Sequence, residues 1–219
     1  MKCFLDFDGP ILDNRPKYAA IYNELLRDTD GVPLSDDAYW SLKRSCVPEA
    51  EVLDRSGVSA KLRATYLRQR QECIEDSHFL QKDRVWPGVH RWLRTQGTQH
   101  ILFLVTLRKR RDTLLKQLAE FELLKYFDTI LSEDANDGTA AVKVRLMAPY
   151  IDSAEPCVLI GDTEVDIQAA KSSGIISVAL TCGIRNRELL MAEIPGHIFH
   201  KLSEVNPAQL TAHTSEAAR

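Results

Sequence analysis

The sequence predicts an α/β protein: an open parallel sheet covered on both faces by helices, with an all-helical module inserted after the first strand. Three observations carry this. Short continuous apolar runs alternate with longer helical stretches, as they do when strands are buried on both faces and joined by helical crossovers. From about residue 14 to residue 83 the alternation stops, and only helical patterns occur. Hydrophobic residues make up 44% and charged residues 27% of the 219 residues, the balance of a globular chain with a substantial core.

The elements follow in order. The first apolar run is "CFL" (3–5), and later ones are "HILFLV" (100–105), "DTILS" (128–132), "CVLIG" (157–161), "ISVAL" (176–180) and a weaker "HIFH" (197–200). Inside the insert, "KYAAIYNELLRD", "DDAYWSLKRS", "PEAEVLDRSG" and "KLRATYLRQRQECIED" read as helices, separated by Gly31, Pro33, Pro48 and Gly57. "VWPGVHRWLRTQG" (85–97) returns the chain to the sheet, with Pro87 expected in the first turn of a helix. "RDTLLKQLAEFELLKYF" (111–127) is an amphipathic crossover. "TEVDIQAAKSSG" (163–174) is a helix capped at its start and closed by Gly174. The expected division is a core of 1–13 and 84–206, a helical cap of 14–83, and a tail of 207–219 that frays.

Several classes are disfavoured. A net charge of −3 leaves no electrostatic footprint for nucleic acid. The apolar runs are far shorter than the roughly 20 residues of a membrane span. One lysine followed directly by a strand predicts no signal peptide. Five scattered cysteines (Cys3, Cys46, Cys73, Cys157 and Cys182) without CxxC spacing predict reduced thiols. The expectation is a cytoplasmic monomer or homodimer with no nucleic-acid or membrane partner.

The chemistry concentrates in "FLDFDGPILD" (4–13), where Asp6 and Asp8 directly follow an apolar run. Burying a carboxylate costs several kcal/mol unless it is paired or bound to a metal, and two adjacent ones raise each other's proton affinity. In open α/β sheets ligands bind outside the carboxyl ends of the strands. Asp6 and Asp8 lie at that end of the first strand, Thr106 at that end of the second, and Asp162 at that end of the fourth. Lys143 lies in the helix or loop leading to the fourth.

These segments, with "PGVHRWLRTQG" (87–97), "FLVT" (103–106), Lys143 and "IGDTEVDIQAAKSSG" (160–174), resemble a haloacid-dehalogenase superfamily phosphatase of the helical-cap subgroup, similar to phosphoglycolate phosphatases. The resemblance implies a Rossmann-like three-layer parallel-sheet core with an inserted all-helical cap. It also implies Mg²⁺-dependent hydrolysis of a small phosphorylated metabolite through an aspartyl-phosphate. Asp6 is then the nucleophile, held ionised by metal and lysine. Asp8 protonates the leaving group and later deprotonates water, kept protonated at neutral pH by a neighbouring carboxylate. Thr106, Lys143 and backbone N–H groups near Gly9 bind the phosphoryl oxygens. Asp6, Asp162 and the Asp8 backbone carbonyl hold Mg²⁺, which takes oxygen ligands.

Other readings stand beside these. "TEVD" also fits a capping box in which Asp166 reciprocates Thr163, as an alternative to support of the metal and Lys143. "RKRR" (108–111) reads as a solvated helix start or a source of positive potential beside Thr106. Tyr39, Trp40 and Arg44 read as candidates for substrate contact or as a plain amphipathic helix. Pro10, Leu107 and Val144 depart from the family pattern around the motifs. A sugar phosphomutase, a phosphonate hydrolase, a metal-free dehalogenase and a non-catalytic phospho-ligand-binding module are the rival functions.

Overall fold

A computed structural model describes residues 1–133, 139–152 and 154–210. Eight strands are present among them: β1 (Lys2–Leu5), β2 (Leu12–Asp13), β3 (Arg84–Val85), β4 (Ile101–Thr106), β5 (Thr129–Ser132), β6 (Cys157–Gly161), β7 (Ile176–Leu180) and β8 (His197–Phe199). Six form one parallel sheet in the order β5-β4-β1-β6-β7-β8. β1 therefore lies where the strand order reverses, with Leu5 opposite both Leu104 and Ile160. Such a switch point opens a crevice at the carboxyl ends of the strands.

The apolar runs are buried on both faces by their period of two. Cys3, Leu5, Leu102, Leu104, Val158 and Ile160 share one hydrophobic cluster with α6 (Val89–Gln96) and α7 (Arg111–Glu120). Phe4, Phe103, Val105 and Leu159 join the opposite cluster with α8 (Ala140–Met147) and α9 (Glu164–Ser172). Gly174 adopts φ +66° just past α9, as its position predicts. Pro87 does not enter α6. Gly88, at φ +91°, caps that helix instead, and the proline lies one residue before it. Residues 207–209, expected to fray, form a 3-10 turn whose neighbour Leu210 is buried in the core, while 211–219 lie outside the described residues.

The insert holds α1 (Arg15–Leu26), α2 (Asp36–Arg44), α3 (Glu49–Arg55), α4 (Ala60–Cys73) and α5 (Ser77–Leu80). It has its own apolar cluster, including Ile21, Tyr22, Tyr39, Leu53, Val58, Tyr66 and Phe79. β2 and β3 were missed in the sequence because two-residue strands carry no periodicity. They pair antiparallel, Leu12 with Val85 and Asp13 with Arg84, and so join the two ends of the insert at its base.

Tyr39 is 1% exposed and stacks on Tyr22 at 4.3 Å between ring centroids, which removes it from any substrate-contacting role. Tyr39→Ala is expected to destabilise the chain by about 3 kcal/mol, the usual cost of deleting a buried aromatic ring. Urea unfolding checks this, and a loss below about 1 kcal/mol contradicts the packing described.

Candidate active site

Asp6 leaves β1 with its N–H donated to Ile160 O at 2.9 Å, so the residue emerges between the ends of β4 and β6. Lys143, projecting from α8, is 2% exposed. Its ammonium lies 2.9 Å from Asp6 Oδ1 and donates to Asp166 Oδ1 at 2.5 Å. The other Asp166 oxygen accepts the Thr163 N–H at 3.1 Å and the Thr163 hydroxyl at 2.7 Å, completing a capping box at the start of α9. Asp166 thus serves the capping box with one oxygen and holds Lys143 with the other.

Asp162 follows β6 and is fully buried. Its Oδ2 accepts the Ile184 N–H at 2.6 Å. Its Oδ1 is buried and, among the described residues, has no hydrogen-bond partner. Backbone closes in on this carboxylate: a Cβ on Gly9, whose φ is +100°, would lie 2.1 Å from it, and one on Gly183 would lie 2.0 Å away.

Among the described residues, Asp6, Asp162 and Asp166 each offer an oxygen within 4.8 Å of the others. Three carboxylates here face one ammonium. Burial pushes the Asp6 carboxyl up to about 7 against the pull of Lys143, with Asp166 and Asp8 adding to the rise. Asp162 is raised well above the usual range by burial and then by Asp6 and Asp166. Burial works to lower Lys143, yet Asp166 and Asp6 hold it above its ordinary value. A divalent cation fits this deficit. The donors are all hard carboxylate oxygens, and one buried oxygen is orphaned. Asp6 and Asp162 are the ones with room for it, because both Asp166 oxygens are engaged.

Asp8 points elsewhere, and the expectation for it is corrected. Its Oδ2 accepts Arg108 Nε at 2.5 Å. Its Oδ1 accepts Arg108 Nη2 at 2.6 Å, Asn14 Nδ2 at 2.8 Å and Lys17 Nζ at 3.2 Å. Burial favours the neutral form, but the Arg108 and then the Lys17 charges hold this carboxyl below the usual range. Two cations keep Asp8 ionised, where a neighbouring carboxylate was expected to keep it protonated. No Asp8 side-chain oxygen belongs to the carboxylate cluster.

Behind Asp8, the buried Asp83 accepts from Asn14 at 2.8 Å and from Gln117 at 3.0 Å, and pairs with Lys17 at 3.1 Å. Lys17, Arg108 and Asp83 were not identified as site residues from the sequence, although "RKRR" beside Thr106 marked the run that supplies Arg108. Gly9 is also corrected: its N–H donates to Leu12 O at 3.0 Å and its carbonyl accepts Trp86 Nε1 at 2.8 Å. Its part is to leave room for Asp162. Arg44 does not face the cleft as a free cation. Its Nη2 donates to the carbonyls of Thr181 (2.6 Å) and Arg185 (3.0 Å).

A cleft of about 240 Å³ between insert and sheet edge is lined by Asp6, Asp8, Thr106 and Lys143 from the sheet side and by Lys17 and Tyr18 from α1. Thr106 is buried at the end of β4, its hydroxyl oxygen accepting the Arg108 N–H at 3.3 Å. Among the described residues no helix is long and apolar enough to cross a membrane.

The chain matches the sequence model of a family described as haloacid dehalogenase-like hydrolase over residues 4–180. It is 28% identical over 216 residues to a phosphoglycolate phosphatase from Pseudomonas putida, covering 92% of this chain and 77% of that one. It is 24% identical over 205 residues to a phosphoglycolate phosphatase from Synechococcus elongatus, covering 91% and 92%. A haloacid dehalogenase-like family hydrolase from Streptococcus pneumoniae shares the fold, with a TM-score of 0.74 at 17% identity over 91% of this chain and 93% of that one.

The orphaned Asp162 oxygen yields a stability prediction. A carboxyl whose folded pKa is raised opposes folding increasingly as pH climbs from about 4 toward neutrality, because the unfolded state ionises first. Without divalent cation, Asp162→Asn should therefore melt above wild type at neutral pH. Added Mg²⁺ should raise the Tm of wild type and leave the variant unmoved. Calorimetry in EDTA and in Mg²⁺ decides, and equal melting of both proteins under both conditions contradicts the cluster's electrostatics.

Proposed function

The chain belongs to the haloacid dehalogenase-like hydrolases, and on that premise we propose that it hydrolyses a small phosphomonoester with the help of Mg²⁺, through an aspartyl-phosphate on Asp6. One observation carries the reading: Asp6 stands 2.9 Å from a buried lysine, beside a carboxylate with an orphaned oxygen, at the floor of a cleft. Asp6 and Asp162, with the Asp8 carbonyl implied by the family pattern, would hold the cation. When bound, it neutralises carboxylate and phosphoryl charge together.

The residues then divide the work. An Asp6 oxygen attacks phosphorus as the P–O bond to the leaving group breaks, and Lys143 and Thr106 receive the charge on the phosphoryl oxygens. Lys143 is anchored for this by Asp166, which is itself fixed at the capped start of α9. Water then cleaves the acyl phosphate, giving its proton to Asp8. In the arrangement described, Asp8 is the base and suits this second step. For the first it must carry a proton, and an anionic substrate favours that by competing for the same Arg108 and Lys17 cations.

The cleft of about 240 Å³ suits a small metabolite. Phosphoglycolate, which the names of the relatives from Pseudomonas putida and Synechococcus elongatus carry, is the first substrate to try. Phosphate release should be measured over a panel of small phosphomonoesters, with Mg²⁺ and with EDTA. Wild type should turn over at least one of them only with Mg²⁺. Asp6→Asn should lose about a thousandfold or more in kcat while keeping its fold. Near-normal release by Asp6→Asn, or full activity in EDTA, overturns the mechanism.

A further inference from the structure

Two sets of hydrogen bonds hold the insert against the core on opposite sides of the cleft. On one side the Glu75 carboxylate, just past α4, accepts the N–H groups of Lys109 (2.9 Å) and Arg110 (2.8 Å) ahead of α7. On the other, Arg44 ends α2 and donates to Thr181 O and Arg185 O. The Arg44 carbonyl accepts the Asn186 N–H at 2.9 Å, and Ser45 Oγ lies 3.2 Å from Asn186 Nδ2.

The segment 181–186 that Arg44 grips is also the one that touches Asp162. Ile184 supplies the N–H on Asp162 Oδ2, and Gly183 runs directly against that carboxylate. Arg185 pairs through both Nε (2.7 Å) and Nη2 (2.9 Å) with Glu164 in the first turn of α9. This short strap therefore has the insert on one side and a buried carboxylate on the other. Groups that orient a metal ligand from behind tune affinity even though they never touch the ion.

We propose that Arg44 is a positioning residue for the cation site: by fixing the strap 181–186 it fixes the Ile184 N–H on Asp162, so that docking of the insert and binding of the cation favour one another. The proposal rests on the reading that the carboxylate cluster takes a divalent cation. The coupling is reciprocal, as linkage requires. Docking improves cation affinity, and the cation tightens the strap. The Glu75 contact provides the comparison, because it accepts the Lys109 and Arg110 N–H groups, whereas the segment Arg44 grips bonds Asp162 through Ile184.

The test uses the full chain without substrate and Mn²⁺ alone as the probe, free Mn²⁺ being read by electron paramagnetic resonance. Arg44→Ala should weaken Kd about fivefold, with Arg44→Lys in between and Glu75→Gln unchanged. Hydrogen exchange at 183–186 should slow on Mg²⁺ addition in wild type and much less in Arg44→Ala. Wild-type Mn²⁺ affinity in a folded Arg44→Ala overturns the proposal. So does an equal loss in Glu75→Gln, which would show only a loosened insert. If Arg44→Ala does not fold, Arg44→Lys decides by the same comparison. A wild type that binds no Mn²⁺ overturns the cation reading itself, and the proposal with it.

Discussion

Three carboxylates, Asp6, Asp162 and Asp166, are held out of water against the single ammonium of Lys143, and much of the surrounding architecture answers to that constraint. Desolvating each charge costs several kcal/mol, so an uncompensated cluster of this kind persists only where the fold supplies hydrogen bonds and closely packed backbone. The capped start of α9 engages Asp166, the strap after β7 engages Asp162, and α8 brings Lys143 between Asp6 and Asp166. What is left over is an excess of acids over cations in this cluster, which raises the proton affinity of Asp6 and Asp162.

Asp6 and Asp8 differ by two residues and by almost everything else in their surroundings. Asp6 shares one cation with two other acids and is pushed up to about 7. Asp8 receives an arginine and a lysine and is held low. Neighbouring titratable groups driven apart by environment are a common way to give two like side chains separate parts in one reaction. The set of Asp8, Asp83, Lys17 and Arg108, buried except for the part-exposed Asp8, balances its own charge, two against two. It also ties α1 and the far end of the insert, through Lys17 and Asp83, to the sheet edge.

The fold was legible because its signals are local. Each main strand is a continuous apolar run, and each carboxylate of the cluster follows such a run or begins the next helix. Lys143 was placed by its order in the chain, and α8 carries it to Asp6. The Asp8 network left no such trace. Asp8 and Arg108 are 100 residues apart, and Asn14 and Asp83 are 69 apart. No periodicity links them, so residues at the two ends of the insert and one member of a basic run gave no sign that they converge. Tyr39 and Arg44 misled for the converse reason. A mixed polar-aromatic helix looks the same from sequence whether it faces a ligand, its own module or the neighbouring chain segment.

The two-residue ladder between β2 and β3 has a consequence for how this architecture diversifies. Antiparallel neighbours lie only about 5 Å apart between Cα atoms, so the whole of 14–83 departs from and returns to nearly one point. The apolar cluster of that segment is drawn from its own residues. Lengthening, shortening or replacing the segment leaves the register of β1 with β4 and β6 undisturbed, because no strand of the main sheet lies within it. Closing a longer excursion costs little more, as closure entropy grows only with the logarithm of length. The joint thus frees the length of the segment but not all of its residues: Asn14 and Lys17, which hold Asp8, lie just past it and have to be kept by any replacement.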